Sequence, residues 1–331
     1  MLYVKEDSKS TSTSEAPPVS TPSTPPVAES TPPSTAPLDT SSESSGTPAG
    51  PGGPSGGPSG GPSGSGFGIT YDPYRNDNNC KSAKEVVADF AKMGAYSSVR
   101  IYGASCDQVP NVLEAARQQK TMKVLAGISP EACDDPALRK KEIAGLISAA
   151  GGDWSIFSAI SVCNENIQRA LGSSKVDGEV QKVLAVRQEV ADALYQAKYV
   201  GEVFIVDTPN AFKKFPSLCR ASKKTGANVH PFFNPQTTAF KAEPFFTTEV
   251  GLLAELCGNE IWATETGWPH DGGSNDQAKP GIEEQKAYLD ALDVKYAGQK
   301  HKIWLHTAYD CLWKKDTTGT HGAEKYWGII R

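Results

Sequence analysis

Two glutamates, Glu165 and Glu265, stand 100 positions apart, and each ends an apolar run that reads as a buried strand. Ile261-Trp262-Ala263 leads through Thr264 to Glu265 before Gly267 and Pro269 stop the run. Ile156 to Val162 leads in the same way through Cys163 and Asn164 to Glu165. In a sheet of parallel strands the C-terminal edge is where ligands bind and chemistry is done. Two carboxylates delivered to one such rim are the ingredients for cleaving a glycosidic bond. One attacks the sugar carbon, while the other protonates the leaving oxygen and then activates the incoming acceptor. The proton donor needs a raised pKa at neutral pH, which burial or the second carboxylate supplies. Asn259-Glu260 precedes its strand rather than ending one, so Glu260 is expected to be an ordinary surface acid.

The elements that must position this pair alternate along the chain. Expected strands are Phe67–Tyr71, Ser98–Tyr102, Lys123–Gly127, Ile156–Val162, Val203–Val206, Ala227–Phe232, Glu260–Thr264 and Ile303–Leu305, with Lys325–Ile330 closing the chain. Helical patterns run through Val86 to Met93, Val109 to Gln119, onward from Pro136, Val176 to Tyr199, residues 215 to 225, residues 245 to 257, and Ile282 to Tyr296. Eight alternations over residues 67–331 predict an α/β fold, a closed (β/α)8 TIM barrel. An open doubly wound sheet is the second choice, but the first strand is followed by Tyr71-Asp72-Pro73 rather than a Gly-rich phosphate turn. Residues 1–66 are rich in Ser, Thr, Pro and Gly, which predicts a disordered stalk or linker, with Gly-Gly-Pro-Ser repeats as a flexible spacer.

The chain of 331 residues carries a formal charge of −5 and has no Lys/Arg cluster, so no nucleic-acid partner is expected. No apolar run is long enough for a transmembrane segment. The Met1 end also lacks a signal peptide's apolar core, so the stalk-like composition predicts an upstream targeting segment or anchor. No Asn-x-Ser/Thr sequon occurs, and any sugar is expected to be O-linked. The 7 cysteines show no Cys-x-x-Cys pair and the 5 histidines no metal spacing, so neither a metal nor a cofactor is expected. Cys80 with Cys106 is the expected disulfide, and Cys163 beside Glu165 the expected free thiol. No Gly-x-Ser-x-Gly elbow is present, which argues against serine hydrolase chemistry.

Other side chains suit a sugar site. Tyr71, Tyr102, Phe233, Trp268 and Trp313 offer flat faces for glucose rings. The strand-end positions favour the site for Tyr71 and Trp268, whereas core packing is equally open for Phe233 and Trp313. Arg100, inside the second strand, requires a buried partner, either a structural ion pair or a catalytic carboxylate. Asp310 and Lys314 are rim candidates.

Gly68-Ile-Thr-Tyr71, Val99-Arg-Ile-Tyr-Gly103, Ile160-Ser-Val-Cys-Asn-Glu165, Val229-His-Pro-Phe-Phe233 and Trp262-Ala-Thr-Glu-Thr-Gly-Trp-Pro269 together resemble family 17 glycoside hydrolases, in the fungal cell-wall branch acting on β-1,3-glucan. The resemblance covers Phe67 to Arg331. It implies a retaining hydrolase or transglycosylase with Glu265 as nucleophile, Glu165 as acid/base, Asn164 bonding the substrate's 2-hydroxyl, and no metal. Together with the candidates above, substrate contacts are expected from Tyr71, Tyr102, Trp268 and Lys314, and the protein is expected to be monomeric and secreted, at the cell wall or cell surface, with β-1,3-glucan as its partner. Three positions depart from the family pattern: Cys163 replaces a glycine, His306 a carboxylate, and Pro209 an aromatic residue. They keep a second expectation open, a weakly active or non-catalytic glucan-binding wall protein that retained the barrel.

Overall fold

The computed structural model describes residues 66–331 apart from Lys120, and the expected stalk therefore lies outside the described residues except for Gly66. Eight parallel strands close in sequence order, from β1 (Gly68–Thr70) through β2 (Ser98–Arg100), β3 (Lys123–Ile128), β4 (Phe157–Val162), β5 (Val203–Asp207), β6 (Lys224–Asn228) and β7 (Glu260–Thr266) to β8 (Ile303–Leu305), which pairs back onto β1. The surrounding helices are α1 (Ala83–Ala91), α2 (Gln108–Gln118), α3 (Pro130–Asp134), α4 (Pro136–Ala150), α5 (Asn166–Ala170), α6 (Val176–Gln196), α7 (Pro209–Lys214), α8 (Ala242–Cys257) and α9 (Ile282–Lys295). The TIM barrel read from the sequence is thus the observed fold.

Local chemistry explains where the helices begin. Ser82 and Glu85 form a reciprocal capping box at the start of α1. Asp135 accepts the first amides of α4, whose leading residue Pro136 has no N–H to satisfy. Two expectations shift. The sixth strand lies at Lys224–Asn228 rather than Ala227–Phe232, because Pro231 starts a 3-10 turn. The helix expected over residues 215–225 is replaced by α7 and a 3-10 turn at Leu218–Ala221, since Thr208 and Pro209 start the helix earlier.

The main core lies between the sheet and the helices, and a smaller one, including Leu125, Phe204, Val206, Trp262 and Trp304, plugs the barrel interior. The rings of Trp262 and Trp304 pack at 5.1 Å and those of Phe204 and Trp262 at 5.7 Å. Gly68 is required here: a Cβ on it would fall 2.4 Å from the Trp304 ring. At the opening of β7, Glu260 bridges Lys224 and Lys302 at 2.9 and 2.8 Å, a structural role beyond that of an isolated surface acid.

Three disulfides tie the outer layer: Cys80–Cys106, Cys133–Cys163 and Cys219–Cys257. The first is the expected pair. The expectation of a free Cys163 is corrected, because α3 brings Cys133 within a Cα separation of 5.9 Å, inside disulfide reach. The free thiol is the buried Cys311.

Candidate active site

A local irregularity aims Glu265. Side chains alternate along a strand, and with Trp262 inside the barrel, strict alternation would turn Glu265 outward toward the helices. The β6–β7 register instead jumps from Ala227↔Ala263 to Asn228↔Glu265, so Thr264 is an extra residue. Such a bulge re-aims the side chains that follow it. Glu265 therefore stands level with Asn228 at the mouth, and the Thr264 hydroxyl donates to Asn228 Oδ1 at 2.9 Å.

Arg100 rises from β2 into the same mouth and is 1% exposed. Its Nη1 donates to Glu265 Oε1 at 2.7 Å, the Thr264 carbonyl at 3.0 Å and Asn228 Oδ1 at 3.2 Å. Its Nη2 donates to Asn164 Oδ1 at 2.8 Å. Of the two roles open for Arg100, it fills the one that supports the strand-seven carboxylate. The other oxygen, Glu265 Oε2, lies 3.1 Å from His230 Nε2 and 3.8 Å from His306 Nδ1. His306 Nδ1 is also 2.9 Å from the Thr70 hydroxyl. The departure from a carboxylate at position 306 thus places an imidazole beside Glu265.

Glu165 follows β4 across the mouth, and Asn228 Nδ2 donates to its Oε1 at 2.8 Å. A continuous chain of hydrogen bonds therefore runs from Glu165 through Asn228 and Arg100 to Glu265. Asn164 Oδ1 accepts from both Arg100 and Asn228, so the Nδ2 amide is the group Asn164 can offer a ligand.

The two carboxyls sit in opposed fields. Burial, reinforced by the negative charge of Glu265, pushes Glu165 above the usual carboxylate range. Burial works the same way on Glu265, but His306, Arg100 and the His230 hydrogen bond outweigh it and hold that carboxyl well below the usual range. Burial also drives the His306 ring well below the usual imidazole range. Among the groups that favour the ionised Glu265, Arg100 carries a permanent charge.

Both glutamates line a cleft of about 400 Å³, together with Tyr102, Asn164, Lys314 and His306. Phe233 and Trp313, for which core packing was equally open, also line it. A neighbouring cavity of about 570 Å³ shares Glu165, His230, Phe233 and Thr320 with the first, and Pro209 is part of its wall. Sequence reasoning did not find Asn228, His230 or Trp327 as site residues, although His230 and Trp327 pack their rings 5.0 Å apart beside Glu265.

Two expected site residues are elsewhere. Tyr71 is buried outside the barrel wall, donating its hydroxyl to Asp89 Oδ2 at 2.7 Å and packing edge-on against Phe90. Thr70 points inward, so alternation sends Tyr71 outward. Trp268 is fully buried against Phe232 and donates its indole N–H to the Lys279 carbonyl at 2.8 Å. Asp310, a rim candidate, is engaged by His270 and the Gly328 amide.

A closed parallel barrel with two carboxyls in opposed fields at its mouth, Glu265 buried and Glu165 partly so, has the layout of a barrel glycosidase. The family model of the BtgE/BtgC glycoside hydrolase domain matches residues 68–328, and the chain belongs to this family. It is 32% identical over 265 residues to Probable family 17 glucosidase SCW10 of Saccharomyces cerevisiae, covering 80% of this chain and 64% of the relative. It is 31% identical over 264 residues to the cell surface mannoprotein MP65 of Candida albicans, covering 79% and 66%. The chain thus spans about two thirds of the length of these curated relatives. Among solved structures, the β-1,3-glucanosyltransferase of Rhizomucor miehei shares the fold at a TM-score of 0.62 and 20% identity, covering 81% of this chain and 93% of that one. An endo-laminarinase from Formosa does so at 0.63 and 16%, covering 80% and 83%.

Proposed function

We propose that this protein is a retaining glycoside hydrolase or transglycosylase acting on β-1,3-glucan of the cell wall, with Glu265 as nucleophile and Glu165 as acid/base. The observation that carries this reading is the opposed proton affinity of two carboxyls in one cleft, Glu165 raised and Glu265 lowered. Such a split favours Glu165 as the acid and Glu265 as the nucleophile. The substrate class draws on the relatives: one is named a family 17 glucosidase, and a fold neighbour is a β-1,3-glucanosyltransferase.

The geometry gives each atom a task. Arg100 holds Glu265 Oε1 at 2.7 Å, and Oε2, whose partner His230 lies farther off at 3.1 Å, is the oxygen taken to attack. As Oε2 bonds to the anomeric carbon, Glu165 gives its proton to the departing glycosidic oxygen. The ester has no charge, so the electrostatic push on Glu165 is relieved and the resulting carboxylate becomes a usable base. It then takes a proton from water or a glucan hydroxyl as that oxygen bonds to the anomeric carbon and Glu265 departs as a carboxylate. Asn164 offers its amide to the sugar's 2-hydroxyl, and Tyr102 and Lys314 contribute to the wall that holds the chain.

Location at the cell surface is part of the same reading, since one relative is named a cell surface mannoprotein and three disulfides suit an oxidising compartment. Among the described residues no helix is long and apolar enough to cross a membrane. The test is incubation of the purified chain with a linear β-1,3-glucan, followed by product analysis. Shorter products mean hydrolysis and longer or rearranged ones mean transfer. Binding with no product overturns the reading in favour of a non-catalytic wall protein.

A further inference from the structure

Glu165 occupies the N-cap position of α5, where a side chain ordinarily accepts the first free amides of the helix. Its carboxyl makes no capping bond. It is turned instead to Asn228 and the cleft. The missing acceptors come from the next strand. Asp207, the last residue of β5 and 1% exposed, takes the Ile167 amide on Oδ2 at 2.8 Å and the Gln168 amide on Oδ1 at 3.1 Å. The Thr208 amide at 2.9 Å fixes the same carboxyl to its own strand end, and the Thr208 hydroxyl donates to Gln168 Oε1 at 2.7 Å.

The turn so held is not one the backbone would choose. Cys163 and Glu165, on either side of Asn164, both have φ of 58°, the left-handed region that L side chains rarely adopt. Such a conformation persists only where its surroundings over-determine it. On one side the turn is tied to α3 by the Cys133–Cys163 disulfide, and on the other to β5 by Asp207.

We infer that Asp207 is a positioning residue for the acid/base: by capping α5 from the adjacent strand, it releases Glu165 from capping its own helix and keeps that carboxyl on the cleft side. The inference rests on the reading of Glu165 given above. Without Asp207 the orphaned amides of the first turn have the Glu165 carboxyl as their nearest replacement in sequence, and each bond it made to them would draw it out of the site.

The test separates loss of proton transfer from general damage. A dinitrophenyl glycoside of a β-1,3-linked glucose oligomer releases its aryl group without needing a proton, whereas glucan does not. In Asp207→Ala, glucan turnover is expected to fall about 100-fold or more, the scale of a general acid. The first burst of dinitrophenolate is expected to stay within about tenfold of the unaltered protein, because acid assistance is the only contribution removed. Azide is expected to restore dinitrophenyl turnover: its nitrogen bonds to the anomeric carbon as Glu265 departs as a carboxylate, with no proton to move. Equal losses on both substrates without azide rescue overturn the inference. Asp207→Asn keeps the shape and one acceptor oxygen. It guards against simple unfolding, and it should show the same selective loss to a lesser degree, with an ordinary melting transition. Glu165→Ala is the control. If it also lacks azide rescue, the acid/base reading falls and the inference with it. If it is rescued while Asp207→Ala is not, only the positioning role falls.

Discussion

Replacing Arg100 by methionine keeps a stem of similar length and removes a charge that favours the ionised form of Glu265. The guanidinium and carboxylate are in contact at 2.7 Å, with side chains only 1% and 8% exposed, so solvent screens them little. With charge centres about 4 Å apart and an effective dielectric of about 20, their attraction is about 4 kcal/mol. Removing one partner of such a buried pair costs about 3–5 kcal/mol, because the other charge is stranded. At roughly 2–4 °C per kcal/mol for a domain of this size, the melting temperature should fall on the order of 10 °C.

The pH dependence should also shift. In the unaltered protein Glu265 is held below its unfolded value, so its contribution to stability is present above the unfolded carboxylate range and lost as pH falls through the folded value. In Arg100→Met one of the groups that lower the carboxyl is gone while the burial that raises it remains, so the folded value moves up and the loss of this contribution on acidification begins at higher pH. The acid limb of kcat/KM should move to higher pH, since the nucleophile must be ionised. Thermal melts and rate profiles from acid to neutral pH measure both. A folded variant with an unmoved acid limb and an unchanged pH slope of stability would refute the assignment of Arg100 as the counter-charge.

Glu265→Gln and Glu165→Gln should each remove most glucan turnover; Glu165→Gln should leave the melting transition in place, whereas Glu265→Gln strands the Arg100 charge and should lower it on the scale given for Arg100→Met. Near-normal rates in either would contradict the roles given to them. Removing the Cys133–Cys163 bridge by alanine substitution opens a loop of sequence separation 30 and should cost about 3–4 kcal/mol, read from denaturant unfolding. An unchanged midpoint would mean that the turn holds itself. Tyr71→Phe loses the bond to Asp89 and should cost about 1–3 kcal/mol with glucan turnover unchanged, whereas a selective loss of turnover would return Tyr71 to the substrate site.

The barrel was legible because parallel strands covered on both faces are written as apolar runs, as in Val203–Val206 and Ile261–Ala263. The sixth strand was misplaced for the complementary reason. Lys224-Thr-Gly-Ala-Asn228 is polar and small, and its Gly226 makes room for Phe204, which lies 2.6 Å from where a Cβ would be. With the strand misplaced, Asn228 and His230 could not be recognised as mouth residues. Tyr71 and Trp268 were assigned from position along the strand without regard to the face each presents. For Tyr71, the alternation from Thr70 carries the missing information. For Glu265 alternation alone would have misled, since the bulge at Thr264 inverts it and leaves no mark in composition. Asp207 lay beside a noted departure, Pro209, yet its capping role depends on a contact across 40 positions that no local pattern encodes.

The large rings of Phe204, Trp262 and Trp304 leave the barrel without a back door, and Lys224 caps them from below, its Nζ 3.8 Å from the Trp262 ring centre. Among the described residues, the paired carboxyls are therefore reached from the strand-end face of the barrel, where two adjoining cavities meet at Glu165. If glucan is the substrate, a strand still bound there after scission would share that face with incoming water. On the proposed reading, the residence of that strand would set how often the bound sugar passes to another strand instead of to water.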